Sequence, residues 1–213
     1  RLRQAVEQRE LFLHFQPKVD LATRRILGLE ALMRWQGADG KLVSPALFVP
    51  VLEETGLIHD AGRIAFEMAA AAYREWSALG LKPPRVAVNV SALQMRRKTF
   101  VAELFDAIGG GGSGVDLEIT ESLLMQDIDA SIAKLAQLRE AGIGIALDDF
   151  GTGHSSLAYL SRLPLDTLKI DRGFVRGMTE NAGDTSIVTA IISLAQALNL
   201  SVVAEGVETE EQA

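Results

Sequence analysis

The chain has 213 residues, 48% of them hydrophobic and 23% charged, with a formal net charge of -7 and no cysteine. That is enough apolar material for one sizeable core, so 1–213 reads as a single domain rather than a disordered chain. The acid excess argues against a general nucleic-acid binder, which is usually basic. The lack of cysteine excludes disulfides and thiolate metal sites, as suits a reducing cytoplasm. No signal peptide opens the chain, and the most apolar helical stretch, near 186–198, is too short and interrupted to span a bilayer. The expectation is a cytoplasmic domain with no DNA partner and no membrane contact of its own.

In chain order, 5–10 reads as the end of a helix and 11–15 as a strand ending at Gln16-Pro17. A short polar turn leads to a second strand, 26–35. So short a link cannot carry a parallel crossover, which makes this pair antiparallel. Ser44-Pro45 starts a helix that runs to about Glu54, and a long helix follows over 57–79 with Gly80 as its stop. From there strands at 85–90, 115–120, 143–147, 167–170 and 201–204 alternate with helices at 98–108, 129–141, from Ser156, and 184–198. A last helix begins near Glu208. The glycine-rich 109–114 lacks the residues of a phosphate loop and reads as a connector. The spacing suits parallel β/α units. Seven strands are one short of the eight in a (β/α)8 barrel, so the last β/α unit is expected to be absent from this chain.

The strands end in a consistent chemistry. The apolar run 143–147 closes on Asp148-Asp149-Phe150-Gly151, two adjacent carboxylates whose mutual repulsion calls for a cation. Glu30, Asn89, Glu118, Lys169 and Glu205 stand at the ends of other strands, and in a barrel such ends converge on one mouth. The donor set is all oxygen, which selects hard cations such as Mg²⁺ or Mn²⁺. It exceeds what one Mg²⁺ takes, but two ions ~3.5–4 Å apart, with Asp148 bridging, would use it all and clamp a phosphodiester. Lys169 would orient the attacking water, and Arg34, of the same strand parity as Glu30, is suited to grip a phosphate oxygen. Plainer readings stand beside these. Glu121, Asp171 and Glu208 suit helix starts, Lys169 a structural ion pair and Asn89 a turn cap. His14, His59 and His154 read as incidental surface or loop residues.

Glu30-Ala31-Leu32-Met33-Arg34-Trp35 resembles the signature of EAL domains, the phosphodiesterases of bacterial cyclic di-GMP signalling. The similarity extends to Phe15-Gln16-Pro17, Val88-Asn89-Val90-Ser91, Leu117-Glu118-Ile119-Thr120-Glu121-Ser122, Asp148-Asp149-Phe150-Gly151-Thr152-Gly153-His154-Ser155-Ser156, Leu168-Lys169-Ile170-Asp171 and Ala204-Glu205-Gly206-Val207-Glu208-Thr209. The resemblance implies an α/β fold, a modified TIM (β/α)8-type barrel with an antiparallel first strand. It implies hydrolysis of cyclic di-GMP (c-di-GMP) to linear pGpG with two Mg²⁺ or Mn²⁺ ions. Glu30, Asn89, Glu118 and Asp148 are implied as ligands of one metal, and Asp148 and Asp149 of the other. Lys169 and Glu205 are implied at the attacking water, with Glu205 also near the metals and Glu30 part of the catalytic set. Gln16, Leu32 and Arg34 are implied as substrate contacts. Glu121, with Glu208, is implied as an anchor of the loop 149–156, which in the family couples dimerisation to activity; a homodimer is therefore expected. His154 stands where the family often has an aromatic residue. The family's last strand, which carries a further active-site glutamine, is not in this chain. The chain reads as a domain excised from a longer protein with sensor or cyclase domains, and that parent could be membrane-anchored.

A second reading is a receptor that binds c-di-GMP without cutting it. Such relatives usually lack one or more of the acids, whereas this chain keeps every one that it covers. The Asp-Phe-Gly at 149–151 prompts a kinase reading, but neither a glycine-rich nucleotide loop nor an His-Arg-Asp segment accompanies it.

Overall fold

A computed structural model describes residues 1–213 except 38, 111–113, 125–126 and 152–156. The chain divides into two units: Arg1–Leu117 with Glu140–Ile143, and Glu118–Arg139 with Gly144–Ala213.

The first unit is built on a hairpin. After helix α1 (Leu2–Glu7), strands β1 (Leu11–Val19) and β2 (Ile26–Gln36) pair antiparallel, with Leu11 opposite Trp35 and Gln16 opposite Glu30. The Asp20 carboxylate closes the turn by accepting from the Thr23 amide and hydroxyl, which holds its carboxyl below the usual range. β2 also pairs antiparallel with a two-residue β3 (Leu42–Val43) and parallel with β4 (Arg85–Val90), where Glu30 faces Ala87. Between them run α2 (Pro45–Glu54) and the long α3 (Ile58–Ala78). Strand side chains alternate faces. One face meets the helices: Leu11 packs with Phe48, Leu52 and Ala61, and the Phe15 ring meets Trp76 at 5.0 Å. The other face carries Phe12, His14 and Gln16 of β1, Glu30, Leu32 and Arg34 of β2, and Asn89 of β4.

α4 (Ala92–Arg96) begins with a capping box between Ser91 and Gln94, and α5 (Phe100–Ile108) ends on Gly109 at φ 78°. Gly62 of α3 lies against the buried Gln94 side chain, which occupies the space a Cβ would need. Next comes β5 (Val115–Thr120). Arg85 donates to both carboxylate oxygens of Asp116, at 2.8 and 2.9 Å, and to the Gly142 carbonyl at 2.8 Å.

The second unit holds the end of β5, α6 (Glu121–Leu124), α7 (Ile128–Glu140), β6 (Ile145–Phe150), α8 (Leu157–Leu160), β7 (Thr167–Ile170), α9 (Arg172–Gly177), α10 (Ala182–Ala197) and β8 (Ser201–Ala204). β6, β7 and β8 are parallel, with Leu147 beside Leu168 and Lys169 beside Val203. Asp166 pins their starts. Its carboxylate accepts from the Ile145 amide at 3.0 Å, and its backbone bonds Ile145 and Ser201.

Several expectations need correction. Among the described residues there are eight strands, not seven, because β2 is long enough to recruit Leu42–Val43. β1 runs past Gln16-Pro17 to Val19; it stands at the end of the strand order, where a proline's missing N–H is tolerated. The strand predicted over 143–147 instead spans Ile145–Phe150 and includes both aspartates. No helix forms at Glu208. The Gln212 side chain accepts from the Glu208 and Thr209 amides at 2.7 and 3.1 Å, which closes a turn instead. Short α4 and α9 were not expected; each is nucleated by a side-chain cap, Ser91 and Asp171. Ser156, 111–113 of the connector and His154 lie outside the described residues.

Candidate active site

In the first unit, Asn89 Nδ2 donates to Glu30 Oε1 at 2.9 Å across the β2–β4 pair. The bond follows from register: Glu30 faces Ala87, so Asn89, two residues on, projects from the same face. Gln16 stands directly opposite Glu30 on β1, exposed. Leu32 and Arg34, both half-buried, follow on β2, and Arg34 donates to the Met33 carbonyl at 3.0 Å. The structure thus brings Gln16, Glu30, Leu32, Arg34 and Asn89 onto one face.

In the second unit, Lys169 is 1% exposed and its ammonium bonds three carboxylates: Glu118 Oε2 at 2.6 Å, Asp148 Oδ2 at 2.9 Å and Glu205 Oε1 at 2.6 Å. Parallel pairing accounts for two of these. Leu147 lies beside Leu168, so Asp148 follows beside Lys169; Lys169 lies beside Val203, so Glu205 projects from the same face. Glu118 is 1% exposed, and three carboxylates around one ammonium satisfy a charge that could not otherwise be buried.

Adjacent strand residues normally point to opposite faces, which would separate Asp148 from Asp149. β6 avoids this with a register shift between Leu147 and Phe150, where Asp149 takes a left-handed φ of 55°. Carboxylate oxygens of Asp148, Asp149 and Glu205 then lie within 4.8 Å of one another. Burial pushes the Asp149 carboxyl above the usual range, with Asp148 and Asp171 adding to the effect and Lys169 and Arg172 opposing it. This bulge was not legible in the sequence. Aspartate is several-fold enriched in the left-handed region, but so few residues adopt it that the Asp-Asp pair was at best a weak signal for it.

Glu121 is 5% exposed at the first position of α6, where it accepts from the Tyr159 hydroxyl at 2.9 Å. Tyr159, 7% exposed on α8, was missed, although a buried tyrosine usually finds a partner for its hydroxyl. Asp171 caps α9 by accepting from the Gly173 amide at 2.8 Å, as the helix-start reading expects. Glu208 is exposed in the turn closed by Gln212. His14 lies on the Glu30 face; His59 is half-buried in α3, and burial, followed by Arg97, lowers its pKa.

The donor chemistry fits divalent cations. Glu118, Asp148, Asp149 and Glu205 set four carboxylates against the one ammonium of Lys169. Acid outnumbers base in this cluster, and an all-oxygen donor set of that kind suits a hard divalent cation.

Fold and site together define a class: an α/β protein that collects carboxylates around a buried lysine at the carboxyl ends of parallel strands. The family described as "EAL domain" matches residues 1–213, and the chain belongs to it. It is 46% identical over 214 residues to the bifunctional diguanylate cyclase/cyclic di-GMP phosphodiesterase MucR of Pseudomonas aeruginosa, covering 99% of this chain and 31% of that protein. It is 42% identical to the cyclic di-GMP phosphodiesterase NbdA of the same organism, covering 99% of this chain and 27% of that protein. The chain thus spans less than a third of the length of these two relatives. A solved structure titled "PaMucR Phosphodiesterase, c-di-GMP complex" superposes with a TM-score of 0.93 at 46% identity, covering 99% of this chain and 87% of that one. The fold class is the modified TIM-barrel type of that family. Among the described residues, no helix is long and apolar enough to cross a membrane.

Proposed function

We propose that this chain hydrolyses c-di-GMP to linear pGpG with two Mg²⁺ or Mn²⁺ ions, its two units acting as one domain. The observation that carries this reading is the buried lysine ringed by Glu118, Asp148 and Glu205 with Asp149 alongside, acid in excess of base. Glu30, Asn89, Glu118, Asp148, Asp149 and Glu205 are the ligands. When bound, the ions would draw charge from the phosphodiester and lower the pKa of the attacking water.

The chain's own residues do the rest. Lys169, held by three carboxylates, is assigned to orient the attacking water through its positive charge. Glu205, less buried than Lys169, takes the water's proton. Arg34 pairs with a phosphate oxygen, while Gln16 and Leu32 bracket the dinucleotide. The water oxygen bonds to phosphorus and the ribose 3′ oxygen leaves with a proton, so one phosphodiester opens to a 5′-phosphate and a 3′-hydroxyl. Glu121, bonded to Tyr159, anchors the segment after β6; Glu208 is assigned to the same task.

The test is incubation with c-di-GMP and Mg²⁺ or Mn²⁺, followed by chromatography, with a chelated control. Metal-dependent pGpG is the expected product. Tight binding without product would make the domain a receptor, and neither binding nor product would refute the reading.

A second copy of the chain is the partner we assign to α10. Its exposed face carries Thr185, Ser186, Ile187, Thr189, Ala190 and Ile192 and no charged residue, although 23% of the chain is charged. Ile187→Glu should shift sedimentation from dimer to monomer. A linked sensor or cyclase domain and a cytoplasmic site are part of the same proposal, in keeping with the much longer relatives.

A further inference from the structure

β1 carries an aromatic ring on each face. Leu11 and Phe15 account for one, packed with Phe48 and against Trp76. The other bears Phe12 and His14 among polar neighbours. The register sets His14 opposite Leu32 and Phe12 opposite Arg34, beyond the Gln16–Glu30 pair in the direction that β2 runs. The two rings meet edge to face, with centroids 5.4 Å apart and planes at 63°. Phe12 is half-buried and His14 exposed. An aromatic pair left open to solvent on the face that carries Glu30, Arg34 and Asn89 is not core packing. Phe12 packs against the imidazole, and His14 stays exposed.

Each two-residue step along a strand is ~6.6–7 Å, so the rings stand one and two steps above the Glu30 carboxylate. A phosphodiester held between Glu30 and Arg34 has its attached nucleoside beside them. We propose that Phe12 and His14 form a stacking platform for one purine base of the cyclic dinucleotide. This deepens the phosphodiesterase reading and rests on it. Every base has a π-face, so the platform contributes affinity rather than choice among purines. It acts equally on bound substrate and transition state, and so bears on KM rather than kcat.

The experiment is steady-state hydrolysis of c-di-GMP by the intact chain and by His14→Ala, His14→Tyr and Phe12→Leu. It is paired with calorimetric titration of c-di-GMP into chelated protein and with thermal unfolding of each variant. Loss of one base–aromatic contact changes affinity by roughly tenfold. His14→Ala should raise KM and Kd by that factor with kcat unchanged and unfolding at the wild-type temperature. His14→Tyr, which keeps a flat ring, should restore both constants, and Phe12→Leu should give an intermediate loss. Wild-type KM and Kd in His14→Ala, or failure of His14→Tyr to restore them, overturns the platform and leaves the hydrolase reading standing. Should the wild type bind without hydrolysing, that reading falls and the Kd series alone judges the platform. A wild type that neither binds nor hydrolyses overturns both.

Discussion

The Asp149 amide donates to Oδ1 of Asp148 at 2.9 Å, while Asp149 itself holds a φ of 55°. The two facts are one device. The bulge turns consecutive aspartates toward one side, and the hydrogen bond fixes the first against the backbone of the second. Glu205 joins them from β8, completing the three-carboxylate cluster.

The backbone of Asp149 gives a first prediction. A residue with a Cβ in the left-handed region is strained by ~1–2 kcal/mol, and glycine is not. Asp149→Gly and Asp149→Ala both remove the carboxylate and should both lose turnover by at least ~100-fold. Of the two, the glycine variant should unfold at the higher temperature, by about 2–4 °C per kcal/mol. Calorimetry in chelator checks this, and equal midpoints would show that the bulge is unstrained.

The pH dependence of stability follows from the same carboxyl. Its folded pKa is raised above the ordinary 3.8, mainly by burial. Its contribution is therefore present in full below pH 3.8 and is lost as pH rises through the folded value. Asp149→Asn cannot ionise. In chelated protein, urea titrations across pH should show no advantage for this variant below pH 3.8 and a growing one above it. Identical curves for wild type and variant would remove the effect. Divalent ions should reverse the order at neutral pH by binding the wild type alone.

Lys169 pairs with three carboxylates from within the core. Lys169→Met keeps most of the bulk and removes the charge, which should cost about 3–5 kcal/mol of stability. Added Mg²⁺ should recover part of that loss, because a divalent ion offsets the same repulsion. Thermal unfolding with and without the metal measures both effects, and an unaltered midpoint in chelator would mean that the ion pairs contribute nothing net.

Glu30→Ala and Asp148→Ala each strip an assigned metal ligand, Glu30 also losing its bond from Asn89. Each should lower turnover by at least ~100-fold, with folding retained, as judged by circular dichroism. Retention of most activity in either variant would remove that residue from the metal set.

The Tyr159–Glu121 bond is buried at both ends, so Tyr159→Phe leaves a buried carboxylate short of one donor. A loss of about 1–3 kcal/mol is expected, together with lower turnover. Hydrogen exchange over α6 should quicken more than over β7. Uniform quickening would mean that the bond serves general stability instead.

Much of this molecule is written locally in its sequence. The alternation of apolar strands with helices, the antiparallel first hairpin forced by a short turn, and the carboxylates at strand ends all follow from patterns within a dozen residues. The motifs around Glu30, Asn89, Glu118, Asp148, Lys169 and Glu205 carry the family's signature without reference to the fold. Local pattern misled where competing interactions had similar strength. The chain after β8 has helix-forming residues, yet Gln212 reaches back to the Glu208 and Thr209 amides and closes a turn. What only the tertiary structure decided is register and reach. Lys169 meets Glu118 across 51 residues and Tyr159 meets Glu121 across 38, and the bulge at Asp149 answers to its neighbouring strand rather than to its own residues. Such contacts depend on how separate segments align, and alignment is settled by the summed packing of whole strands. A short stretch of sequence carries its own period but not its partner's position.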